Sequence, residues 1–282
     1  MIDLHSHSIF SDGTDTPEAL AALAQDAGLR ALALTDHDTL EGLERFLACQ
    51  SRVDTELVPG IELSCRYLGR VLHVLGLFVD PGNARFRARI EDMRQRRVER
   101  NRLMVARLRD LGVAITWEEV AALAPTDSIS RTHFARALVK HGAAGSPQDA
   151  FRRYIGDDGP AFVPLRDLTP RDAAAWIREA GGVSVVAHPG RFSHRSFRWE
   201  EAMADLRDQG LQGLEAHYPD YGPAEHQYFL ELAAALDMVP SGGSDYHGGH
   251  KPGQNLGVGT GSLHVPDAVL DRLRGLRPME TV

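Results

Sequence analysis

The chain opens with the stretch IDLHSHSIFSDGTDTPEAL, in which His5 and His7 are separated by one residue and Asp12 follows. Residues i and i+2 of a strand face the same side, so both imidazoles can aim at one point. Imidazole and carboxylate suit zinc, manganese or iron, and no thiolate is offered. One His-x-His is a weak signal, but the chain repeats the offer. TDHD supplies His37, PGIE supplies Glu62, VLHVLG supplies His73, AHPG supplies His188, and GSDYH supplies Asp245 and His247. Each residue alone has a plainer explanation: His73 as a satisfied core histidine, Glu62 as a buried ion-pair partner, Asp12 as a turn cap in SDG. Metal-type ligands at five separate strand ends are hard to explain as packing.

Strands must carry these residues, and seven short apolar runs with polar punctuation read as strands. They are MIDLHSH, ALALTDHD, ELVPGIELSC, RVLHVLGLFVD, GGVSVVAHPG, LQGLEAHY and DMVPSGGSDYHG. A helix over TPEALAALAQDAGL follows the first, with Thr16 as N-cap, Pro17 at the first helical position and Gly28 as C-cap. RYLGR between the third and fourth runs predicts a hairpin, hence an antiparallel pair. PRDAAAWIREAGG, WEEAMADLRDQG and PAEHQYFLELAAALD predict helices before the last three strands, and this alternation argues for a mostly parallel sheet. Polar residues, Asp36 and His217 among them, gather at the C-terminal strand ends. That is where a (β/α) barrel builds its site, and seven such strands predict a barrel of seven. The alternative, an open doubly wound sheet, would concentrate its site at one switch point.

Residues 81–164 break the rhythm and read as a helical insertion between the barrel segments 1–80 and 165–282. NARFRARIEDMRQRRVERNRLMVARLRDLG reads as one long helix, and TWEEVAALA, SRTHFARALVKHG and SPQDAFRRYIG as shorter ones, with GPAFVP the first strand candidate after them. The 282-residue length suits one such domain with an insertion, and 43% hydrophobic and 25% charged residues suit a globular core. A net charge of -8 argues against a surface that binds nucleic acid all over. Two cysteines, Cys49 and Cys65, form no disulfide framework and suit a reducing compartment. No signal-peptide pattern and no membrane-length apolar run is present, so a cytoplasmic location, with no membrane or protein partner, is expected.

Together, DLHSHSIFSDGTDTPEAL, LALTDHDTLEGL, VPGIELSC, HVLGLFVD, VVAHPG and GSDYHG resemble the PHP family, the polymerase and histidinol phosphatase metal-dependent phosphoesterases. The resemblance covers roughly residues 1–80 and 165–260, with the motifs in family order. It implies a distorted (β/α)7 barrel and a trinuclear site of two or three filled positions, manganese first, with zinc or iron as alternatives. It puts His5, His7, Glu62 and Asp245 on the first metal and makes Glu62 the bridge to a second that His73 and His188 complete. Asp12, His37 and His247 would hold the third.

Clustered divalent ions lower the pKa of a bridging water and neutralise a phosphoryl oxygen during displacement. A metal-bridging hydroxide then makes a protein nucleophile unnecessary, and the chain shows neither a G-x-S-x-G elbow nor a P-loop. An amidohydrolase also opens with His-x-His, but its bridge is commonly a carbamylated lysine, and the only lysines here are Lys140 and Lys251, neither at an early strand end. A non-catalytic metal-binding module would be expected to have lost ligands.

PHP proteins acting on nucleoside 3′,5′-bisphosphates carry a segment similar to SISRTHFARAL in a helical insertion, and AHPGR followed by an aromatic. The resemblance implies that the insertion is a substrate cap, with Ser130, Arg131 and His133 as substrate contacts, joined by Arg191 and His194. A hydroxyl and arginine at a helix N-terminus suit a phosphate, although a capped surface helix explains them equally. His194 is also the candidate acid for the leaving group. Trp117, Tyr154 and Phe162 are candidates to stack on a base or to form insertion core. Between Arg85 and Arg109 lie ten arginines, a solvated face that can also steer a polyanion. The expected activity is removal of the 3′-phosphate from a nucleoside 3′,5′-bisphosphate. The alternatives are a 5′→3′ exoribonuclease on short oligonucleotides and a cyclic phosphodiesterase.

Overall fold

A computed structural model describes residues 1–124, 129–164, 168–192 and 198–278. Seven strands make one sheet in chain order: β1 (Ile2–Asp3), β2 (Ala31–Leu34), β3 (Glu56–Tyr67), β4 (Arg70–Leu77), β5 (Val183–Val186), β6 (Gly213–His217) and β7 (Val239–Gly242). β1–β2–β3 and β5–β6–β7 pair in parallel, whereas β4 is antiparallel to both neighbours. The predicted hairpin turns through Leu68 and Gly69 at φ 47° and 77°. Positive φ at both central residues matches the right-handed strand twist.

The reversal of β4 is what makes His73 useful. Its pairing sets His73 opposite Ser64, two residues past Glu62 on β3. A residue near the start of an antiparallel strand thus lies at the end where the parallel strands finish.

The sheet curls until its edges meet. Leu4 N–H donates to Gly242 O at 3.2 Å, His7 N–H donates to Tyr246 O at 2.9 Å, and Ser6 pairs in parallel with Tyr246. The result is a distorted (β/α)7 barrel. Gly243 sits in this seam, where a Cβ would come within 2.4 Å of His5 N.

The helices are α1 (Pro17–Asp26), α2 (Leu43–Leu47), α3 (Ala84–Asp110), α4 (Trp117–Ala121), α5 (Arg131–Lys140), α6 (Pro147–Ala150), α7 (Pro170–Glu179), α8 (Trp199–Asp208), α9 (Pro223–Ala235) and α10 (Asp267–Gly275). α1 starts as its residues dictate: Thr16 Oγ1 accepts Ala19 N–H at 3.2 Å, and the chain leaves through Gly28 at φ 65°. α2 and α10 were not anticipated. α2 is too short to show a period, and α10 is specified by its packing, with Val269, Leu270 and Leu273 buried beside Ile2, Leu4 and Val239.

The chain divides into two compact units, residues 1–88 with 168–282, and residues 89–167. The second unit has its own core of Met104, Leu108, Ile115, Phe134 and Leu138, all fully buried. Each such side chain contributes about 1.5–3 kcal/mol on leaving water, enough in sum to hold short helices that would not persist alone. SPQDAFRRYIG forms α6 and then a wider turn, in which Gly156 N–H reaches Phe151 O at 2.7 Å. Residues 160–164 form no strand: Ala161 N–H goes to Tyr154 O instead. Among the described residues, no helix is long and apolar enough to cross a membrane.

The seam yields a prediction. Gly243→Ala should destabilise the chelator-treated protein by about 1–3 kcal/mol, since an added methyl there meets backbone on β1's continuation. Urea unfolding should show a lower midpoint at unchanged slope.

Candidate metal centre

The strand ends of the first unit bring all nine candidate donors together in four overlapping groups. These are His7–Asp12–His37–His247, His5–His7–Asp245, His5–Glu62–His188 and His37–Glu62–His73, with the donor atoms of each group within 4.8 Å of one another. Glu62 is central and fully buried. Its Oε1 lies 2.8 Å from His73 Nδ1 and 3.0 Å from His188 Nε2. Its Oε2 lies 3.1 Å from His37 Nδ1 and 3.2 Å from both His5 Nε2 and His7 Nε2. Asp245 Oδ1 approaches His7 Nε2 at 3.2 Å and His5 Nε2 at 3.5 Å. At the other side, Asp12 Oδ1 lies 3.3 Å from His247 Nε2 and Oδ2 lies 3.7 Å from His37 Nε2.

The hydrogen-bond partners of these rings, when the rings are neutral, fit a cation. His247 Nδ1 is 2.7 Å from Asp245 O, and a carbonyl only accepts. His247 Nδ1 therefore carries the proton, and Nε2 turns a lone pair towards Asp12 when the ring is neutral. His5 Nε2 and His7 Nε2 face each other at 3.0 Å. His73 Nδ1 is buried and makes no hydrogen bond despite its closeness to Glu62. Lone pairs aimed at lone pairs and carboxylates repel unless a cation lies among them. Imidazole and carboxylate together are the donor set of zinc, manganese and iron.

Buried aspartates hold the ligand-bearing loops. Asp36 Oδ1 accepts Ser8 N–H at 2.8 Å and Ser11 Oγ–H at 2.6 Å, tying the loop after β1 to the end of β2. Asp38 accepts Ser64 N–H and Oγ–H, both at 2.8 Å, tying the same end to β3. The two aspartates of TDHD thus fix His37 from both sides. Asp3 accepts N–H groups of His5, Ser244 and Gly257 at 3.2, 2.9 and 2.7 Å. Gly13 is required in the SDG turn, where a Cβ would lie 2.2 Å from His7 O.

Charges follow from this packing. Burial opposes the charged form of His7, but hydrogen bonds to Asp245 and Glu62 outweigh it and push its pKa up to about 9. His5 and His73 are also raised, their neighbouring carboxylates outweighing burial. His37 is pushed down to about 4, chiefly by burial. Glu62 and Asp245 are held well below the usual carboxylate range, because the surrounding histidines overcome the burial that would raise them.

Of the substrate candidates, Arg191 is at this site: its Nη1 lies 3.5 Å from Asp245 Oδ2 and its Nη2 is 3.0 Å from Asp220 Oδ2. Phe192 after it is buried near Tyr67 and Trp199. His194 lies outside the described residues. Ser130, Arg131 and His133 lie in the second unit. Ser130 caps α5, with its N–H donated to His133 Nδ1 at 3.0 Å, so His133 takes the place glutamate holds in a capping box. Arg131 pairs with Asp157 at 2.6 Å, its guanidinium 5.3 Å from the Phe162 ring centre and 5.8 Å from that of Phe151. Trp117 and Tyr154 pack against the insertion core, with Arg102 and Arg153 over their rings.

Three residues at the centre escaped sequence reasoning. Lys251 Nζ donates to Asp245 Oδ2 at 2.6 Å, so a lysine away from the early strand ends is beside a candidate ligand. Tyr218 Oη–H donates to the same oxygen at 2.6 Å. Glu215 accepts from His5 and His188. A charged residue inside the apolar strand LQGLEAHY was the available signal for Glu215. His217, by contrast, turns away and meets His226 of α9 at 3.0 Å. Glu215 pairs with Ser241 and His217 with Gly242, and this bulge breaks the two-residue alternation.

Known proteins resemble the chain along nearly its whole length. A 3′,5′-nucleoside bisphosphate phosphatase of Chromobacterium violaceum is 34% identical over 91% of this chain and 90% of its own. The 5′-3′ exoribonuclease Rnm of Salmonella typhimurium is 33% identical over 87% and 84%. A solved structure, described as a Chromobacterium violaceum amidohydrolase with bound sulfate and no metal, superposes with a TM-score of 0.78 at 32% identity, over 99% of this chain and 98% of that one. The first two names, with the donor cluster, define a metal-dependent hydrolase of phosphate esters. The PHP domain matches residues 3–106, and the chain belongs to the PHP family. Against amidohydrolase chemistry, Glu62 rather than a lysine is shared between the donor groups, and Lys251 Nζ donates to Oδ2 and the carbonyl of Asp245.

The raised His7 pKa predicts a pH signature. Below about pH 6.5 this group is protonated folded or unfolded and its stabilisation is fully present. As pH rises towards about 9 that stabilisation is lost, with His5 and His73 acting in the same direction. The Tm of chelator-treated protein should therefore fall over this window. At fixed free divalent ion the ion-induced rise in Tm should grow, because protons no longer compete.

Proposed function

We propose that the chain removes the 3′-phosphate from nucleoside 3′,5′-bisphosphates, leaving a 5′-mononucleotide and phosphate. The observation that carries the reading is the convergence of nine imidazole and carboxylate donors around Glu62, in a chain similar along its length to a bisphosphate phosphatase. His5, His7, Glu62 and Asp245 would hold one ion, Glu62, His73 and His188 a second, and Asp12, His37 and His247 a third, with manganese the first candidate. Divalent ions, when bound, supply a water of lowered pKa and neutralise phosphoryl charge. The protein's part is to hold the donors rigidly and to bring cations to the substrate.

Arg191 is suited to a phosphate oxygen: it lies beside Asp245, half exposed, stacked 5.3 Å from the Tyr218 ring centre. The second unit is assigned the role of substrate cap. Ser130 and Arg131 at the start of α5 would take the phosphate that is not cleaved, with the helix N-terminus adding favourable field. The exoribonuclease reading is favoured by the Salmonella typhimurium relative and by ten arginines along α3, cations that can attract a longer polyanion.

Phosphate release from adenosine 3′,5′-bisphosphate, 3′-AMP, 5′-AMP, histidinol phosphate and a dinucleotide, with manganese present, separates these readings. The bisphosphate should be turned over with the highest kcat/KM; preference for the dinucleotide supports the exoribonuclease, and preference for histidinol phosphate rejects both. Arg131→Ala should raise KM for the bisphosphate about tenfold or more, the size of losing a charge-assisted hydrogen bond. It should change KM for p-nitrophenyl phosphate much less. Equal effects on both esters would remove Arg131 from substrate binding.

A further inference from the structure

We propose that Glu215 is a positioning residue of the metal centre, setting the tautomer of His5 and the backbone of His188 through one carboxylate; this rests on the metal reading of those two histidines. Glu215 lies on β6 and is fully buried. Its Oε1 is 3.0 Å from His5 Nδ1, and its Oε2 accepts His188 N–H at 2.6 Å. β6 itself contributes no residue to the four donor groups. Its contribution is the anion beneath two histidines that do belong to them.

A carboxylate offers acceptors only. In its neutral, metal-binding form His5 must therefore keep its proton on Nδ1, which leaves Nε2 as a lone pair. That lone pair faces His7 Nε2, Glu62 Oε2 and Asp245 Oδ1 at 3.0, 3.2 and 3.5 Å, the point at which two of the donor groups overlap. The second oxygen acts on the main chain. His188 has φ 27°, a region that a residue with a Cβ adopts only when its surroundings impose it. A short bond from its N–H to a carboxylate holds that conformation and keeps His188 Nε2 against Glu62 Oε1 at 3.0 Å.

Glutamine in place of Glu215 keeps the shape and breaks the logic. Its amide offers one oxygen and one NH2, while His5 Nδ1–H and His188 N–H both need an acceptor. Either the His188 amide loses its partner, or His5 moves its proton to Nε2 and can no longer bind a metal there. Neither change removes apolar packing.

The test is metal affinity, measured by competition with a chromophoric chelator on wild-type protein, Glu215→Gln and Glu215→Asp. Outer partners of metal-binding histidines typically govern about 10–100-fold in affinity. Glu215→Gln should weaken zinc and manganese by that amount while the circular dichroism and Tm of the chelator-treated protein stay close to wild type; Glu215→Asp, which keeps two acceptors, should recover part of the loss. Long-range 1H–15N spectra of the zinc-loaded wild type should show His5 protonated on Nδ1. Unchanged affinity in a folded Glu215→Gln protein, or a His5 proton on Nε2, overturns the proposal. Should the glutamine variant not fold, the wild-type spectrum decides alone. A wild-type protein that takes up no divalent ion would instead sink the metal reading on which the proposal rests.

Discussion

Five imidazoles surround one buried carboxylate, that of Glu62, and the rest of the barrel is organised by this arrangement. Moving a carboxylate out of water costs several kcal/mol even after relaxation. Protonated histidines can offset part of that cost, but two of the ring nitrogens face each other, and His73 Nδ1 has no hydrogen bond. Protein groups alone leave the cluster electrostatically incomplete. Bound metal ions would complete it, by giving the inward lone pairs something positive to meet.

Such a cluster survives only if its members cannot relax apart. The barrel seam between β1 and β7 joins His5 and His7 to the segment bearing Asp245 and His247. Asp3, Asp36, Asp38 and Glu215 then hold ligand-bearing loops by accepting backbone N–H groups. Part of the geometry is strained as well: His188 and Asp245 sit at φ 27° and 51°, and Asp38 at 52°. Positive φ at two candidate ligands shows the surroundings overriding local preference, as is common at functional sites.

The second unit answers to different physics. It has its own core, with Leu108, Phe134 and Leu138 fully buried, and Arg131 pairs within it with Asp157. SISRTHFARAL made a capped helix legible, but the sequence reads equally as a phosphate grip or a plain cap. The structure shows the cap in detail, with Ser130 N–H donated to His133 Nδ1.

Residue type and local spacing, by themselves, determined the donors and the strands that carry them. Metal-binding chemistry is a property of side-chain type, and the period-2 strand puts His5 and His7 on one side whatever else happens. The Leu68–Gly69 hairpin and the Thr16 cap were legible for the same reason: each is settled within a few residues. Only the tertiary structure decided the rest, because it depends on partners far apart in the chain. Glu215 meets His5 from 210 residues away, and nothing local marks that meeting. Lys251 looked remote until the turn after His247 folded it back onto Asp245. His217 had the right type and place, yet one bulge turned it towards α9. RYLGR announced the reversal of β4 against β3, but the second antiparallel pairing, with β5, which brings His188 beside His73, is a consequence of strand order that no single motif contains.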